Sequence, residues 1–73
     1  MIDLGEIAER LDREEKLELR YRLLVHSNGG SEWQVRSDPL LDVAEDNGTL
    51  FVMRSGDPVY VLLDEAIEVT ASS

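Results

Sequence analysis

The chain has no cysteine and only one histidine among its 73 residues. No disulfide can therefore brace the fold, and one histidine cannot supply the several nitrogen or sulfur ligands of a transition-metal site. Small domains usually gain stability from a disulfide, a metal or a partner chain. We expect one domain over residues 1–73, without metal or cofactor, that is stabilised by efficient packing, by association into a homo-oligomer or by a permanent partner chain.

Long apolar runs are also missing. The longest one, residues 59–63, is far too short to span a bilayer. The N-terminus carries Asp3 and Glu6 where a signal peptide would have basic residues, and no apolar stretch follows. These features predict a soluble, cytoplasmic protein that does not contact membranes.

Basic residues are scarce. Sixteen acidic residues face seven basic ones, for a net charge of −9. Such a surface repels nucleic acid and favours a protein partner with a basic surface. The alternative is that the acidic residues serve only solubility or adaptation to a salty cytoplasm. Residues 1–37 carry a net charge of −2 and residues 38–73 a net charge of −7. The second half therefore supplies a candidate acidic partner surface: Asp42, Glu45, Asp46, Asp64 and Glu65.

Helical periodicity is confined to the N-terminus. Asp3 followed by Glu6 resembles a capping box. Apolar residues then recur at helical spacing: Leu4, Ile7, Ala8 and Leu11. We predict a helix over residues 3–14, which must pack against the rest of the chain because so short a helix is not stable alone.

From Leu17 the apolar period changes from 3.6 to 2. Apolar residues occupy every second position up to Val25, which predicts a strand over residues 17–27. The alternative is a helix, because Glu, Lys, Leu and Arg are good helix formers. Five consecutive alternations favour the strand.

The turn at Asn28-Gly29-Gly30 predicts a hairpin with a second strand at 31–37. A two-residue loop would pair Val25 with Glu32, whereas a three-residue loop pairs Val25 with Trp33 and keeps one face apolar. We predict the three-residue loop. In that register Arg22 lies opposite Arg36, and His26 lies opposite Glu32.

Further strands are predicted at 40–45, 49–54, 58–63 and 66–70, separated by Pro39, Asn47-Gly48, a turn at 55–58 and a polar link. Residues 50–53 and 59–63 are apolar on both faces of the strand, which predicts the two central, most buried strands. The predicted fold class is mainly β (α+β): an N-terminal helix followed by a five- to six-stranded antiparallel sheet, bent into a small barrel that the helix covers.

The order of elements resembles the WYL domain, a bacterial regulatory module with an SH3-like barrel of the Sm type. The resemblance rests on the strand 16–22 (KLELRYR), on Val35 with Pro39-Leu40, on Gly48 with residues 50–52, and on Leu63-Asp64 followed by Ile67. Leu50 and Phe51 stand where the family has its tryptophan and tyrosine, and Glu65-Ala66 stands where it has an arginine. The resemblance thus implies the barrel and a ligand-sensing or regulatory role, with a changed ligand site.

No set of residues predicts catalysis. The carboxylates are expected to lie on the solvent-exposed surface. The single histidine, His26, has no serine and acid arranged around it as a catalytic triad would require. The basic feature is an arginine-rich face of the first hairpin formed by Arg20, Arg22 and Arg36, with Tyr21 and Trp33 on the opposite face. The alternative is that neighbouring acids simply neutralise these arginines.

Two functions follow as expectations, and neither is enzymatic. The first is a binding or regulatory module on an Sm/WYL-like barrel, which contacts a protein partner or small ligand through Arg20, Arg22 and Arg36 with Tyr21 and Trp33. The second is an acidic inhibitor-type protein that occupies a basic, nucleic-acid-binding site on a target through the acidic partner surface.

Overall fold

The chain begins with a capped helix. The computed structural model describes residues 2–72, and helix α1 covers Leu4–Asp12. The Asp3 carboxylate accepts hydrogen bonds from the backbone N–H groups of Gly5 (3.0 Å) and Glu6 (3.3 Å), so Asp3 is the predicted N-cap. The helix ends two residues earlier than predicted because Glu14 adopts φ 64°, a left-handed conformation that cannot continue an α-helix.

Five antiparallel strands follow α1. They are β1 (Leu17–Ser27), β2 (Gly30–Ala44), β3 (Thr49–Arg54), β4 (Asp57–Leu62) and β5 (Ala66–Ala71). Short 3₁₀ turns, Glu45–Asn47 and Leu63–Glu65, precede β3 and β5. The predicted class, a helix followed by the antiparallel strands of a mainly β domain, is confirmed.

The strands form one sheet in the order β4-β3-β2-β1-β5. The prediction that residues 59–63 form a central strand is wrong, because β4 lies at an edge and leaves Tyr60 68% exposed. Its apolar outer residues are covered by nothing within residues 2–72. An apolar run therefore marked a strand correctly here but not its place in the sheet.

Strand β2 runs through the proline that was expected to divide it. The predicted strands 31–37 and 40–45 are one strand, in which Pro39 pairs with Glu18 of β1. Pairing with β3 begins only at Leu40–Val52, and its register shifts between Leu40 and Asp42. Pro39 thus lies where β2 still has a free edge, a position at which a sheet tolerates proline.

The register of the β1–β2 hairpin differs from the prediction. The loop contains two residues, Asn28 and Gly29, and Leu24 rather than Val25 lies opposite Trp33. Gly30, the first residue of β2, takes φ 125°, a conformation open mainly to glycine. The prediction assumed a buried apolar face near the loop; this part of the hairpin is exposed on both faces beyond Val25, so burial does not set its register.

The end of this hairpin projects beyond the sheet. Pairing of β1 with β5 ends at Tyr21–Ala66, and pairing of β2 with β3 begins at Leu40. Residues 22–37, here called the distal hairpin, therefore form a two-stranded ribbon whose outer edges are unpaired within residues 2–72. The projection helps make the molecule elongated, with extents of 44 × 25 × 19 Å.

One core holds the other elements together. It contains buried side chains from α1 and from the inner faces of β1 to β4: Leu4, Ile7, Leu17, Leu19, Tyr21, Leu40, Leu50, Val52 and Val61. Val69 of the edge strand β5 packs against the same cluster as Val61 of the other edge strand, so the sheet curls around it. No helix within residues 2–72 has the length and apolar character needed to cross a membrane.

Candidate functional site

The outer surface of the first hairpin carries a compact set of exposed basic and apolar side chains. In the observed register Arg22 lies opposite Val35, and Leu24 lies opposite Trp33. Because alternate residues of a strand point to the same face, these four residues share one surface with Arg20. We call it the hairpin face: Arg20, Arg22, Leu24, Trp33 and Val35.

Trp33 is the most conspicuous residue of the hairpin face. It is the only tryptophan of the chain, and 54% of its surface is exposed. Val35 beside it is 62% exposed, and Leu24 opposite it is 38% exposed. Exposed tryptophan is uncommon on surfaces that only face water and is enriched at the energetic centre of protein interfaces.

The guanidinium of Arg22 lies over the Trp33 ring, with Cζ 4.7 Å from the ring centroid. This cation–π contact orders both side chains on an exposed strand pair. Stacked in this way, Arg22 keeps the N–H donors at its edge free to bind a carboxylate, while Trp33 and Val35 offer apolar area beside it.

Arg20 is neutralised within the chain. It forms an ion pair of 2.8 Å with Glu68 of β5, and both side chains are about half exposed. The expectation that neighbouring acids neutralise the arginine-rich face thus applies to Arg20, and also to Arg36, which forms an ion pair of 3.2 Å with Asp38. Arg22 has no ion-pair partner within residues 2–72.

Arg36 does not belong to the hairpin face. It lies opposite Tyr21, on the inner face of the sheet, and Trp33 lies with Arg20 and Arg22 on the outer face. The predicted grouping of three arginines opposite Tyr21 and Trp33 is therefore wrong, and so is the predicted Arg22–Arg36 pair. Both errors come from the loop, because a one-residue change of register exchanges the two faces of β2 relative to β1. His26 likewise lies opposite Ser31, not Glu32, and its Nδ1 is 2.7 Å from the Ser31 hydroxyl.

Tyr21 and Arg36 instead take part in a polar network centred on the buried side chains of Tyr21 and Asp38. The Tyr21 hydroxyl donates to Oδ2 of Asp38 at 2.5 Å and accepts from Nε of Arg54 at 3.0 Å. Arg36 donates to both carboxylate oxygens of Asp38, from Nε at 3.2 Å and from a terminal nitrogen at 3.4 Å. Tyr21 is fully buried and Asp38 is 7% exposed.

The network shifts the pKa values of Asp38, Tyr21 and Arg36. Burial opposes ionisation of Asp38, but the hydrogen bonds from Arg36 and Tyr21 outweigh burial and lower the pKa of its carboxyl. Burial and the hydrogen bond to Asp38 raise the pKa of the Tyr21 hydroxyl. The hydrogen bond to Asp38 raises the pKa of Arg36. At neutral pH the group is thus an ionised carboxylate, a neutral phenol and two cations.

This network is better suited to stabilising the fold than to catalysing a reaction. Asp38 already accepts hydrogen bonds on both oxygens, and within residues 2–72 no buried side-chain nitrogen or oxygen lacks a partner. Neither the phenol nor the carboxylate is poised to move a proton near pH 7. A buried tyrosine must find a hydrogen-bond partner, so Tyr21 on the apolar face of β1 was the one sign of this group in the sequence. Nothing pointed to Asp38 or Arg54 as its partners.

The residues of the acidic partner surface lie mostly at the end of the sheet remote from the hairpin loop. Glu45 and Asp46 lie in the first 3₁₀ turn, and Asp64 and Glu65 lie in the second. The backbone N–H of Leu63 donates to the carbonyl of Gly48 at 2.9 Å, which brings the two turns together. Asp42 lies apart from them, on β2 opposite Phe51.

No metal site is evident in the part of the chain that the structure describes. Residues 2–72 contain no group of three or more His, Cys, Asp or Glu side chains placed to hold an ion. One cavity of about 250 Å³ lies beside α1, is lined by Ile7, Arg10, Ile67 and Glu68 among others, and is open to solvent. Another is formed by residues 43–47, at the turn between β2 and β3. They do not reach the hairpin face.

Comparison with protein-family models, curated proteins and solved structures finds no match. The resemblance to the WYL domain therefore stays a prediction, and the function has to be argued from the chain itself.

Proposed function

We propose that this protein is a non-enzymatic binding module that contacts a partner protein through the hairpin face. The observation that carries the proposal is the exposed Trp33, stacked under Arg22 on a projecting ribbon. An apolar anchor beside a free guanidinium suits a partner surface that combines an apolar side chain with a carboxylate.

The shape of the molecule supports the same proposal. The distal hairpin lies outside the packed core, so another molecule can reach the hairpin face without displacing any element of the fold. Only one of the sixteen acidic residues, Glu32, lies within residues 20–37, whereas this segment holds three of the seven basic residues. The hairpin is thus a basic projection on an acidic body, and an acidic patch on a partner would be drawn to it rather than to the rest of the surface.

The test compares variants as baits in extracts of the cells that produce the protein. The double variant R22A/W33A should lose a protein that the wild type retains. The charge-reversed control E45K/D46K, altered at the acidic end, should retain that protein. A retained protein that is lost only with E45K/D46K, or with neither variant, would contradict the proposal.

The tryptophan gives a second measurement with the purified partner. Because Trp33 is the only tryptophan and is exposed, burial on binding should move its emission to shorter wavelength. A partner that contributes its own tryptophan can be prepared with 5-fluorotryptophan, which separates the two signals. Binding without any change at Trp33 would place the interface elsewhere.

The acidic end supports a second candidate function. The contact of Leu63 with Gly48 brings the acidic 3₁₀ turns together, as an inhibitor that occupies a basic nucleic-acid-binding site would require. We propose this as the alternative, with Glu45, Asp46, Asp64 and Glu65 as the contact residues. Binding would then weaken steeply with salt and be abolished by E45K/D46K, whereas R22A/W33A would leave it intact.

A further inference from the structure

The distal hairpin presents an open strand edge. On the side away from β1, β2 is unpaired until Leu40 meets Val52. In an antiparallel ladder alternate residues direct their N–H and C=O groups to the neighbouring strand, so about half of the backbone groups between Gly30 and Asp38 point to this edge. An exposed edge of this kind is a template for pairing with another strand.

The sequence along this edge is complementary to itself. If two copies of β2 pair in antiparallel fashion about Gln34, Glu32 of each copy lies opposite Arg36 of the other. Trp33 of each copy lies opposite Val35 of the other. The pairs are thus two of opposite charge on one face and two of apolar side chains on the other face, both of which stabilise antiparallel strands.

Other registers lack this match. Pairing about Trp33 or Val35 puts Glu32 opposite Gln34 or Asp38, so the ion pairs are lost. Registers shifted by one residue join the outer face of one hairpin to the inner face of the other, which exposes Trp33 and Val35 on opposite sides. Of these registers, only the one centred on Gln34 forms both the pairs of opposite charge and the pairs of apolar side chains.

The side chains concerned are accessible for such pairing. Trp33 and Val35 are more than half exposed, and Glu32 makes one long contact of 3.4 Å with Gln34 of its own strand. Arg36 uses Nε and one terminal nitrogen for Asp38. A guanidinium has five N–H donors, so others are left for a second carboxylate.

We propose that two copies of this chain associate through β2, antiparallel about a two-fold axis at Gln34, and join their distal hairpins into a four-stranded ribbon. The dimer places both hairpin faces side by side and forms one continuous surface with two Arg22–Trp33 pairs. Self-association through the edge and partner binding through the face are separate properties, and either can hold without the other. A 73-residue chain without disulfide or metal also has reason to gain stability in this way.

Sedimentation of the purified chain at increasing concentration tests the association. The wild type should approach twice its mass of 8.2 kDa. Glu32→Arg, which puts arginine opposite arginine at both ends of the interface, should raise the dissociation constant at least about tenfold. Glu9→Arg makes the same charge change on the exposed side of α1 and should leave it unchanged. A chain that stays monomeric up to about 1 mM, or equal weakening by both variants, overturns the proposal.

Cross-linking tests the register independently of affinity. Gln34→Cys gives each chain one cysteine that faces its counterpart at the two-fold axis, and mild oxidation should link two chains rapidly. Ser31→Cys, on the same exposed strand, lies opposite Ser37 of the other copy. Its two cysteines are six residues apart along the ribbon, roughly 20 Å, and should link slowly.

Both positions are exposed, so circular dichroism should show both variants folded. Faster linking through Cys at position 31, or equal rates at both positions, overturns the register. Loss of dimer without loss of the pulled-down partner leaves the proposed function standing, and the reverse result leaves the dimer standing.

Discussion

The hydroxyl of Tyr21 donates to the carboxylate of Asp38 at 2.5 Å and so ties β1 to β2 at the base of the distal hairpin. Arg54, the last residue of β3, donates to the same hydroxyl. The β2–β3 ladder begins only at Leu40, two residues beyond Asp38. Side chains thus connect the three strands where backbone pairing on that side has stopped, and they hold the start of a ribbon that has little core of its own.

The variant Tyr21→Phe should destabilise the fold by about 1–3 kcal/mol. It removes the donor to Asp38 and the acceptor for Arg54 while keeping the buried ring, so the cost is that of leaving buried polar groups unsatisfied. Urea unfolding followed by circular dichroism measures it. Tyr60→Phe removes the same hydroxyl from a side chain that is 68% exposed and should change stability by less than about 0.5 kcal/mol. Equal effects of the two variants would show that the network contributes nothing.

The lowered pKa of Asp38 makes the stability of the fold decrease as the pH falls into the acidic range. The folded state holds this carboxyl ionised below its ordinary pKa of 3.8, so the stabilisation is complete above that pH and is lost as the pH falls through the lowered pKa of the folded state. Asp38→Asn should be less stable than the wild type at pH 7 and should lose less stability between pH 5 and pH 2. Urea midpoints across this range measure both slopes. Parallel slopes would assign the acid sensitivity to other carboxylates.

The raised pKa of Tyr21 acts at the opposite end of the pH scale. The folded state disfavours the phenolate, so the stabilisation is complete below the ordinary pKa of 10.0 and is lost as the pH rises through the raised value. The wild type should therefore lose stability above about pH 10, and Tyr21→Phe should lose less of it. Tyr60→Phe, which keeps the buried phenol, should follow the wild type in thermal unfolding at pH 9 to 11.

Substitution by alanine should have opposite effects on stability at two glycines, because their backbone conformations differ. Gly5 lies in the first turn of α1 with an ordinary backbone, and an added Cβ would lie 3.4 Å from the Asp3 carboxylate and 3.5 Å from that of Glu45, which is normal contact. Gly5→Ala should stabilise the chain by about 0.5–1 kcal/mol. Gly48 has φ 61°, so Gly48→Ala should destabilise it by about 1–2 kcal/mol despite open space around it. Thermal unfolding of the pair measures both, and a stabilising Gly48→Ala would contradict the assigned conformation.

Local patterns predicted the elements of this fold well because each has its own signal in the chain. Asp3 marked the start of α1, the glycine-containing turns marked the ends of the strands, and β3 lies at the predicted residues 49–54. These local signals do not determine the order of the strands in the sheet. Residues 59–63 are apolar in the manner of a central strand, yet β4 lies at an edge, because position in a sheet depends on strands distant in sequence.

The candidate site was predicted in part for a similar reason. Arg20, Arg22 and Trp33 were assigned to a binding region and do share a face, whereas Tyr21 and Arg36 belong to the polar network around Asp38. The apolar alternation of β1 and β2 favoured a register that buries Trp33. That argument holds only where a core covers the strand pair, and the hairpin extends beyond the core.

A designed disulfide can decide the hairpin register in solution. Leu24 lies opposite Trp33, so the double variant L24C/W33C should close a disulfide within one chain under mild oxidation. In V25C/W33C the two cysteines lie on opposite faces of the ribbon and should remain reduced. Measurement of free thiols and of chain mass at low protein concentration, which disfavours association of chains, distinguishes closure within a chain from links between chains. Closure of V25C/W33C instead would show that the hairpin has the three-residue loop. Arg20, Arg22 and Arg36 would then share one face.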